Sequence, residues 1–272
     1  MAPRLHDRIH PVPDPVAGFA AYVGRPLWNE ARRPLEARRL RHSDLWQGVG
    51  VPEGRGRPVI LIPGFLAARR STDALARLLR DADWDVMQPE VGRNAGPAIT
   101  TIEAALEHAR EGVERTGEKV HLVGHSRGGQ LARVLAVAHP DLVSQVIVAG
   151  TPLRTKYPKY LVVKVPAELL DKGWRWGLLG RADPEAEDWV DRLRYAELPP
   201  AVELVSVWSK LDGVVDWRLC IDPTAVNIEV RCSHQGMFNS VAGIHGILAG
   251  LSGDVPPRTI DPSTADQLGL EL

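Results

Sequence analysis

A chain of 272 residues suits one large domain or two small ones, and its 44% hydrophobic and 25% charged residues are typical of a globular protein. The 33 basic and 34 acidic side chains give a formal net charge of −1, so the chain as a whole offers no electrostatic attraction to nucleic acid or to an anionic membrane. A domain of this length buries roughly three-quarters of the surface of its unfolded chain, and we expect a deep core.

The sequence contains no signal for membrane insertion or secretion. No apolar run approaches the roughly 18 residues that cross a bilayer. Residues 1–10 include Arg4, His6, Asp7 and Arg8 and lack the apolar stretch that is typical of a secretory signal. We therefore expect a cytoplasmic protein without a transmembrane segment.

Residues 1–57 are rich in proline and arginine, and we interpret them as an extension packed on a main domain that spans 58–272. One helix is predicted over about 15–41, broken or kinked at its internal prolines. Its part from 25 to 41 carries six arginines against two glutamates, with apolar side chains nearby. This pattern fits a solvated helix face, or a helix that binds a partner or contacts a membrane peripherally.

From residue 58 onward, short apolar runs alternate with amphipathic segments. The runs are predicted as strands, because continuous apolar sequence is typical of strands buried on both faces of a parallel sheet. They lie at 59–62, 84–87, 120–123, 143–148, 202–208 and 227–231. Helical spacing of apolar residues occurs at about 72–79, 100–116, 131–139 and 238–251. Strands that alternate with helices imply a parallel sheet covered by helices on both faces.

The alternation stops between Thr151 and Pro200. This stretch mixes aromatic side chains with prolines and charges, and we interpret about 152–200 as a cap or insertion over the carboxyl edge of the sheet. The aromatic residues suit an apolar acyl pocket, and they suit the packing of a core equally well. They are Tyr157, Tyr160, Trp174, Trp176, Trp189 and Tyr195.

The segment 124–128 reads Gly-His-Ser-Arg-Gly and matches the G-x-S-x-G pattern of a nucleophile elbow. In such an elbow a serine occupies a sharp, strained turn between a strand and a helix, so its neighbours must lack bulk. Here the pattern follows an apolar strand and opens a helix with no residues between. This context predicts that Ser126 is a nucleophile for acyl transfer.

Acyl transfer also needs N–H donors for the oxyanion that develops in the reaction. The N–H of Arg127, at the start of the helix, is one predicted donor, and the N–H of Phe65, in the loop after the first strand, is the other. Phe65 and Leu66 are predicted to form apolar walls of the substrate pocket. His125 is predicted to line the pocket or to point away from the nucleophile.

The acid and the base are expected after Ser126, each at the end of a later strand. Asp212 follows the fifth predicted strand and precedes a glycine, so it is the favoured acid. His234 follows the sixth predicted strand and is the favoured base, because an imidazole with a pKa near 6.5 can take a proton and return it. The competing residues of the same types are Asp216, His121 and His245.

With these residues in place, the chain resembles the α/β-hydrolase-fold esterases and lipases, in particular the compact actinobacterial-type lipase-like proteins. The resemblance covers about 58–251 and rests on four sequence blocks. These are Pro-Gly-Phe at 63–65, Gly-x-Ser-Arg-Gly-Gly at 124–129, Ser-x-x-Asp-Gly-Val-Val-Asp-Trp at 209–217 and Ser-His-x-Gly-Met at 233–237. It implies a mostly parallel central sheet with helices on both faces and a helical insertion after the sixth strand. Many relatives have His where this chain has Pro63, which leaves the second oxyanion donor open.

The resemblance also implies hydrolysis of carboxylic esters through an acyl-enzyme on Ser126, without a metal or a cofactor. The implied partner is a small-molecule or lipid ester, not nucleic acid. The alternatives are a thioesterase or an acyltransferase with the same triad, and a non-catalytic binding protein with this fold. Some lipases bridge the acid and base region with a disulfide; because no signal peptide is seen, we expect Cys220 and Cys232 to be reduced thiols.

Overall fold

The computed structural model describes residues 25–153, 155, 168–170, 172–174, 176, 178–179 and 183–253. The predicted helix start near residue 15 and much of the predicted insertion over 152–200 lie outside the described residues. Within the described part of the chain, no helix is long and apolar enough to cross a membrane.

The described strands form one sheet in which every neighbouring pair is parallel. In chain order they are β1 (Pro58–Ile62), β2 (Asp85–Met87), β3 (Val120–His125), β4 (Val143–Ala149), β5 (Glu203–Trp208) and β6 (Val226–Glu229). Their order across the sheet is β2-β1-β3-β4-β5-β6. Every residue of β1 is buried, as its uninterrupted apolar sequence predicts.

The helices precede the sheet, connect successive strands or follow the last strand. They are α1 (Arg25–Glu30), α2 (Arg33–Arg41), α3 (Asp73–Asp81), α4 (Ala98–Thr116), α5 (Arg127–Ala138), α6 (Pro184–Leu193) and α7 (Val241–Ser252). Short 3-10 helices lie at Asp44–Gln47, Arg69–Thr72 and Trp217–Cys220. The order of strands and helices confirms the predicted parallel sheet with helices between its strands.

A hydrophobic core lies on each face of the sheet, because successive side chains of a strand point to opposite faces. Val59 and Leu61 of β1 join a core with α3 and α7 on one face. Ile60 and Ile62 join a second core with α4 and α5 on the other face. The helices therefore cover both faces of the sheet.

Two details of the sequence-based prediction are wrong. The segment predicted as an insertion after a sixth strand follows β4, because the described sheet begins at β1 and has only three strands before β4. The last helix was expected from residue 238 but begins at Val241, because residues 234–239 form turns and the side chain of Ser240 caps the helix by accepting the N–H of Gly243.

The segment that precedes the sheet is packed against it. The side chain of Leu40, on α2, is 2% exposed, and that of Leu45, in the following 3-10 helix, is 3% exposed. Both belong to the core that contains α3 and α7. This part of the sequence therefore contributes to the core of the main domain.

Leu40→Ala is predicted to lower the free energy of unfolding by about 2–5 kcal/mol, because it removes buried methyl groups and leaves a cavity. Leu35→Ala is the matched control, since Leu35 lies on the same helix and is 49% exposed. Its expected cost is within about 0.5 kcal/mol. Urea unfolding of both variants measures the difference, and equal costs would show that α2 does not pack as described.

Candidate active site

Three polar side chains lie at the carboxyl ends of strands in the sheet. Ser126 follows β3, Asp212 lies in the turn after β5, and His234 lies in the turn after β6. Because all three strands are parallel, their carboxyl ends lie along one edge of the sheet. Residues that are far apart in sequence are thereby placed in one site.

Ser126 occupies the strained turn that the sequence pattern predicts. Its φ of 52° and ψ of −120° lie in a region that non-glycine residues rarely adopt. The turn is held by main-chain bonds, since the N–H of Ser126 donates to the carbonyl oxygen of Ala149 at 2.9 Å. The hydroxyl of Thr151 donates to the carbonyl oxygen of Ser126 at 3.0 Å. Strain fixed in this way presents the serine hydroxyl at the start of α5.

His234 and Asp212 form a buried hydrogen-bonded pair. His234 Nδ1–H donates to Asp212 Oδ2 at 2.7 Å, and the two side chains are only 3% and 1% exposed. The other carboxylate oxygen, Oδ1, accepts the N–H groups of Val214 and Val215 at 2.8 and 2.7 Å. These bonds fix the carboxylate and orient the imidazole so that Nε2 is the nitrogen left for proton transfer.

The competing acid and bases are engaged elsewhere. Asp216 caps the 3-10 helix Trp217–Cys220 by accepting the N–H of Arg218 at 3.1 Å, and it forms an ion pair with the Arg218 side chain. The ring of His121 contacts the side chain of Gln145 at 3.1 Å. His245 lies on the exposed side of α7. The structure thus pairs His234 with Asp212, the two residues favoured from sequence.

The local charges favour a proton on His234 and disfavour one on His125. Burial alone would lower the pKa of His234, but the negative charge and hydrogen bond of Asp212, followed by the charge of Glu30, outweigh it and raise that pKa above its usual value of 6.5. The pKa of His125 lies well below 6.5, chiefly because the ring is buried and secondly because of the nearby His234. His125 is therefore neutral near pH 7.

The His125 side chain is buried and packs against the ring of His234. It is 6% exposed, and its Nε2–H donates to the carbonyl oxygen of His234 at 3.0 Å. The ring centroids of His125 and His234 are 4.5 Å apart, which places the base beside the residue that precedes Ser126. Ser126 Oγ itself donates no hydrogen bond within the described part of the chain, and such catalytic bonds often tighten only when substrate binds.

The loop after β1 lies against the elbow. A Cβ atom added to Gly64 would be 3.3 Å from the Cβ of Ser126 and 2.9 Å from His125 Nδ1. Phe65 and Leu66 follow in this loop; the Phe65 side chain is partly buried and that of Leu66 is 48% exposed. Arg127, the other residue predicted to donate to an oxyanion, is the first residue of α5. The two predicted donors thus lie on segments that border Ser126.

A sequence model described as the alpha/beta hydrolase fold matches residues 57–188 of this chain. The match includes β1, the loop with Phe65 and the elbow at Ser126. No sequence among the curated proteins matches the chain.

Solved structures share the architecture at low sequence identity. Aspergillus fumigatus lipase B is 17% identical with a TM-score of 0.56, and the match covers 79% of this chain and 57% of that one. The product of the Listeria innocua gene lin2722 is 16% identical with a TM-score of 0.50, over 75% of this chain and 97% of that one. Polyneuridine aldehyde esterase is 14% identical with a TM-score of 0.50, and the match covers 72% of this chain and 99% of that one.

The chain has the α/β-hydrolase fold. The fold predicted from the four sequence blocks is thereby confirmed. At these identities the solved structures establish the fold and not the reaction.

Sequence reasoning missed several residues that build the site of this hydrolase-fold protein. Gly150, directly after β4, has a φ of 55°, and a Cβ there would lie 3.1 Å from both Asp212 Oδ2 and His234 Nδ1. Ser209 connects the two loops, because its hydroxyl donates to the carbonyl oxygen of Cys232 at 2.7 Å. The glycine at a strand end and the serine in the third sequence block were the signals available for these two residues.

The N-terminal helices also reach the site. Glu30 accepts N–H groups from both the Asp212 loop and the His234 loop, and Glu36 accepts the N–H and the hydroxyl of Ser233 at 2.9 and 2.5 Å. Nothing in the sequence pattern distinguishes these two glutamates from ordinary charges on a helix. Their role became visible only from the structure.

The described residues contain no group of three or more His, Cys, Asp and Glu side chains that could hold a metal ion. Cys220 and Cys232 are both buried free thiols. The pKa of Cys232 is raised to about 12, mainly because the thiol is buried, so it is not ionised near neutral pH.

Gly128→Ala is predicted to destabilise the hydrolase-fold domain. The added Cβ would overlap two carbonyl oxygens, that of Ile62 at the end of β1 and that of Pro63 in the following loop. The overlap is with backbone, so the expected loss is about 1–3 kcal/mol of unfolding free energy or more. Gly96→Ala is the control, because a Cβ there meets no atom within 4 Å. Thermal and urea unfolding compare the two variants, and equal stability would contradict the close contact between elbow and loop.

Proposed function

We propose that this protein is a serine hydrolase that cleaves carboxylic esters through an acyl-enzyme on Ser126. The observation that carries the proposal is the buried hydrogen bond between His234 and Asp212, beside a serine held in a strained turn. A serine after β3, a carboxylate after β5 and an imidazole after β6 form the constellation used for acyl transfer on this fold.

In the proposed first step, Ser126 Oγ attacks the ester carbonyl carbon while His234 Nε2 takes the hydroxyl proton. His234 then carries a positive charge, which the Asp212 carboxylate stabilises without itself being protonated. The carbonyl oxygen becomes an oxyanion, and the N–H groups of Arg127 and Phe65 donate hydrogen bonds to it.

In the proposed second half, the tetrahedral intermediate collapses and the bond to the leaving alkoxide breaks. His234 gives its proton to that oxygen, which leaves as the alcohol, and the acyl group remains on Ser126. A water molecule then attacks the acyl carbon while His234 takes one of its protons. Collapse of this second intermediate releases the carboxylic acid and returns the proton to Ser126 Oγ.

Carboxylic esters are the proposed substrates because the four sequence blocks resemble those of esterases and lipases. Two of the structurally similar proteins carry the names lipase and esterase. Phe65 and Leu66 would supply apolar walls next to the oxyanion site, which suits an acyl chain better than a charged group. A small-molecule or lipid ester is accordingly the proposed partner.

A fluorophosphonate probe is predicted to label the wild-type protein at Ser126. Ser126→Ala should abolish labelling and lower kcat for a p-nitrophenyl ester by ~10³-fold or more, because the nucleophile is removed. Ser144→Ala is the control, since Ser144 lies near the start of β4 and bonds the carbonyl oxygen of Val120. Mass spectrometry of the labelled peptide identifies the site.

Labelling elsewhere, or no labelling of folded protein, would favour a non-catalytic binding protein with this fold. Product analysis with competing alcohol and thiol acceptors separates an esterase from an acyltransferase. Parallel assays with matched oxygen esters and thioesters separate it from a thioesterase. Faster turnover of the thioester would overturn the proposed ester specificity while leaving the triad intact.

Asp212→Asn is predicted to lower kcat by roughly 10⁴-fold, because an amide cannot stabilise the imidazolium and favours the wrong imidazole tautomer. Asp216→Asn is the matched control and should retain kcat within about tenfold, because Asp216 caps a 3-10 helix instead of contacting His234. Steady-state kinetics with one p-nitrophenyl ester measure both variants. A larger loss of kcat in Asp216→Asn than in Asp212→Asn would show that Asp216, and not Asp212, is the acid.

A further inference from the structure

We propose that Glu30, on the N-terminal helix α1, is a positioning residue that joins the acid loop to the base loop and holds His234 for proton transfer. This inference rests on the proposed serine-hydrolase function. The sequence of this segment alone indicates a solvated helix face, or a helix that binds a partner or contacts a membrane.

One carboxylate receives three main-chain N–H groups. Glu30 Oε1 accepts the N–H of Gly213 at 3.0 Å and the N–H of His234 at 2.8 Å. Glu30 Oε2 accepts the N–H of Gln235 at 3.1 Å. Gly213 follows the acid Asp212 directly, so a single side chain bridges the residues that bear the acid and the base. Bonds to a charged acceptor are stronger than bonds between neutral groups.

The position of Glu30 in its helix argues for a dedicated role. It is the last residue of α1, where a negative charge is unfavourable because the helix dipole also places negative charge there. Three N–H donors offset this cost. A carboxylate at this place is therefore explained by the loops it bonds better than by the helix that carries it.

Glu30 differs from its neighbour Glu36 in what it bonds. Glu36 accepts the N–H and the hydroxyl of Ser233, the residue before the base, and within the described residues it has no hydrogen bond to the acid loop. Glu30 bonds the main chain of His234 itself and of the residue after Asp212. Glu36 thus provides a control from the same N-terminal segment on the same base loop.

Among the described residues, the charged and titratable groups that face His234 come from three parts of the fold. Asp212 bonds its ring, His125 packs against the ring from the elbow, and Glu30 bonds its main chain from α1. Burial lowers the pKa of His234, whereas Asp212 and then Glu30 raise it, and the result is a raised pKa. The charge of Glu30 therefore favours the imidazolium that forms when Ser126 is deprotonated.

The sign of the expected pH effect follows from the role of His234 as base. The imidazole must be neutral to accept a proton, so kcat/KM falls as the pH drops below the pKa of His234. Loss of the Glu30 charge lowers this pKa and moves the acid limb of the profile to lower pH. Loss of the Glu36 charge should move the limb less, because Glu36 bonds Ser233 and not the main chain of His234 itself.

The test compares Glu30→Gln, Glu30→Asp and Glu36→Gln with the wild type. The readouts are kcat/KM for p-nitrophenyl butyrate and the rate of fluorophosphonate labelling at Ser126, each from pH 5 to 9. Glu30→Gln should lower kcat/KM at its plateau by roughly tenfold, because the base is less well placed. Its acid limb should also move to lower pH. Glu30→Asp keeps the charge on a shorter side chain. Its kcat/KM should therefore fall, while its acid limb moves less than that of Glu30→Gln.

The outcomes are separable. Absence of Ser126 labelling in the folded wild type would refute the proposed function. Normal wild-type labelling with an unmoved acid limb in folded Glu30→Gln, or equal movement in Glu36→Gln, would overturn the role of Glu30 alone. If Glu30→Gln does not fold, Glu30→Asp decides the question. A lower kcat/KM at an unchanged unfolding temperature supports the role of Glu30. A kcat/KM and an acid limb equal to those of the wild type refute it.

Discussion

The hydrogen bond from His234 to Asp212 is the interaction on which the candidate site depends. Both side chains are almost fully shielded from water, so an unpaired Asp212 carboxylate would carry a large desolvation cost. The two main-chain donors at Val214 and Val215 reduce that cost, and they fix which oxygen faces the imidazole. The rest of the architecture can be understood as the support for this buried pair.

Support comes from several segments of the described chain. The absence of a side chain at Gly150 leaves room for the pair at the end of β4, and Ser209 bonds the loop that leads to His234. Glu30 reaches the same loops from a helix 204 positions before the base. A parallel sheet brings the strand ends together, but the exact placement of the imidazole comes from these smaller contacts.

Much of the fold and the candidate triad could be predicted from the sequence, because both rest on local patterns. The apolar run of β1 and the glycines around Ser126 each have a physical reason that is visible within a few residues. Glu30 could not be predicted, since its partners are distant in sequence and its own surroundings are those of any charged helix. The start of α7 was misplaced because Phe238 and Met237 are apolar residues of a buried turn, which periodicity alone does not separate from a helix.

The most direct measurement of the central claim is a crystal structure of the protein after reaction with a phosphonate ester. We expect a covalent bond from Ser126 Oγ to phosphorus, with His234 Nε2 within about 3 Å of an oxygen on the adduct and Nδ1 still bonded to Asp212. One phosphonyl oxygen should accept the N–H groups of Arg127 and Phe65. An adduct on another residue, or an imidazole of His234 beyond hydrogen-bonding reach of the adduct, would contradict the account.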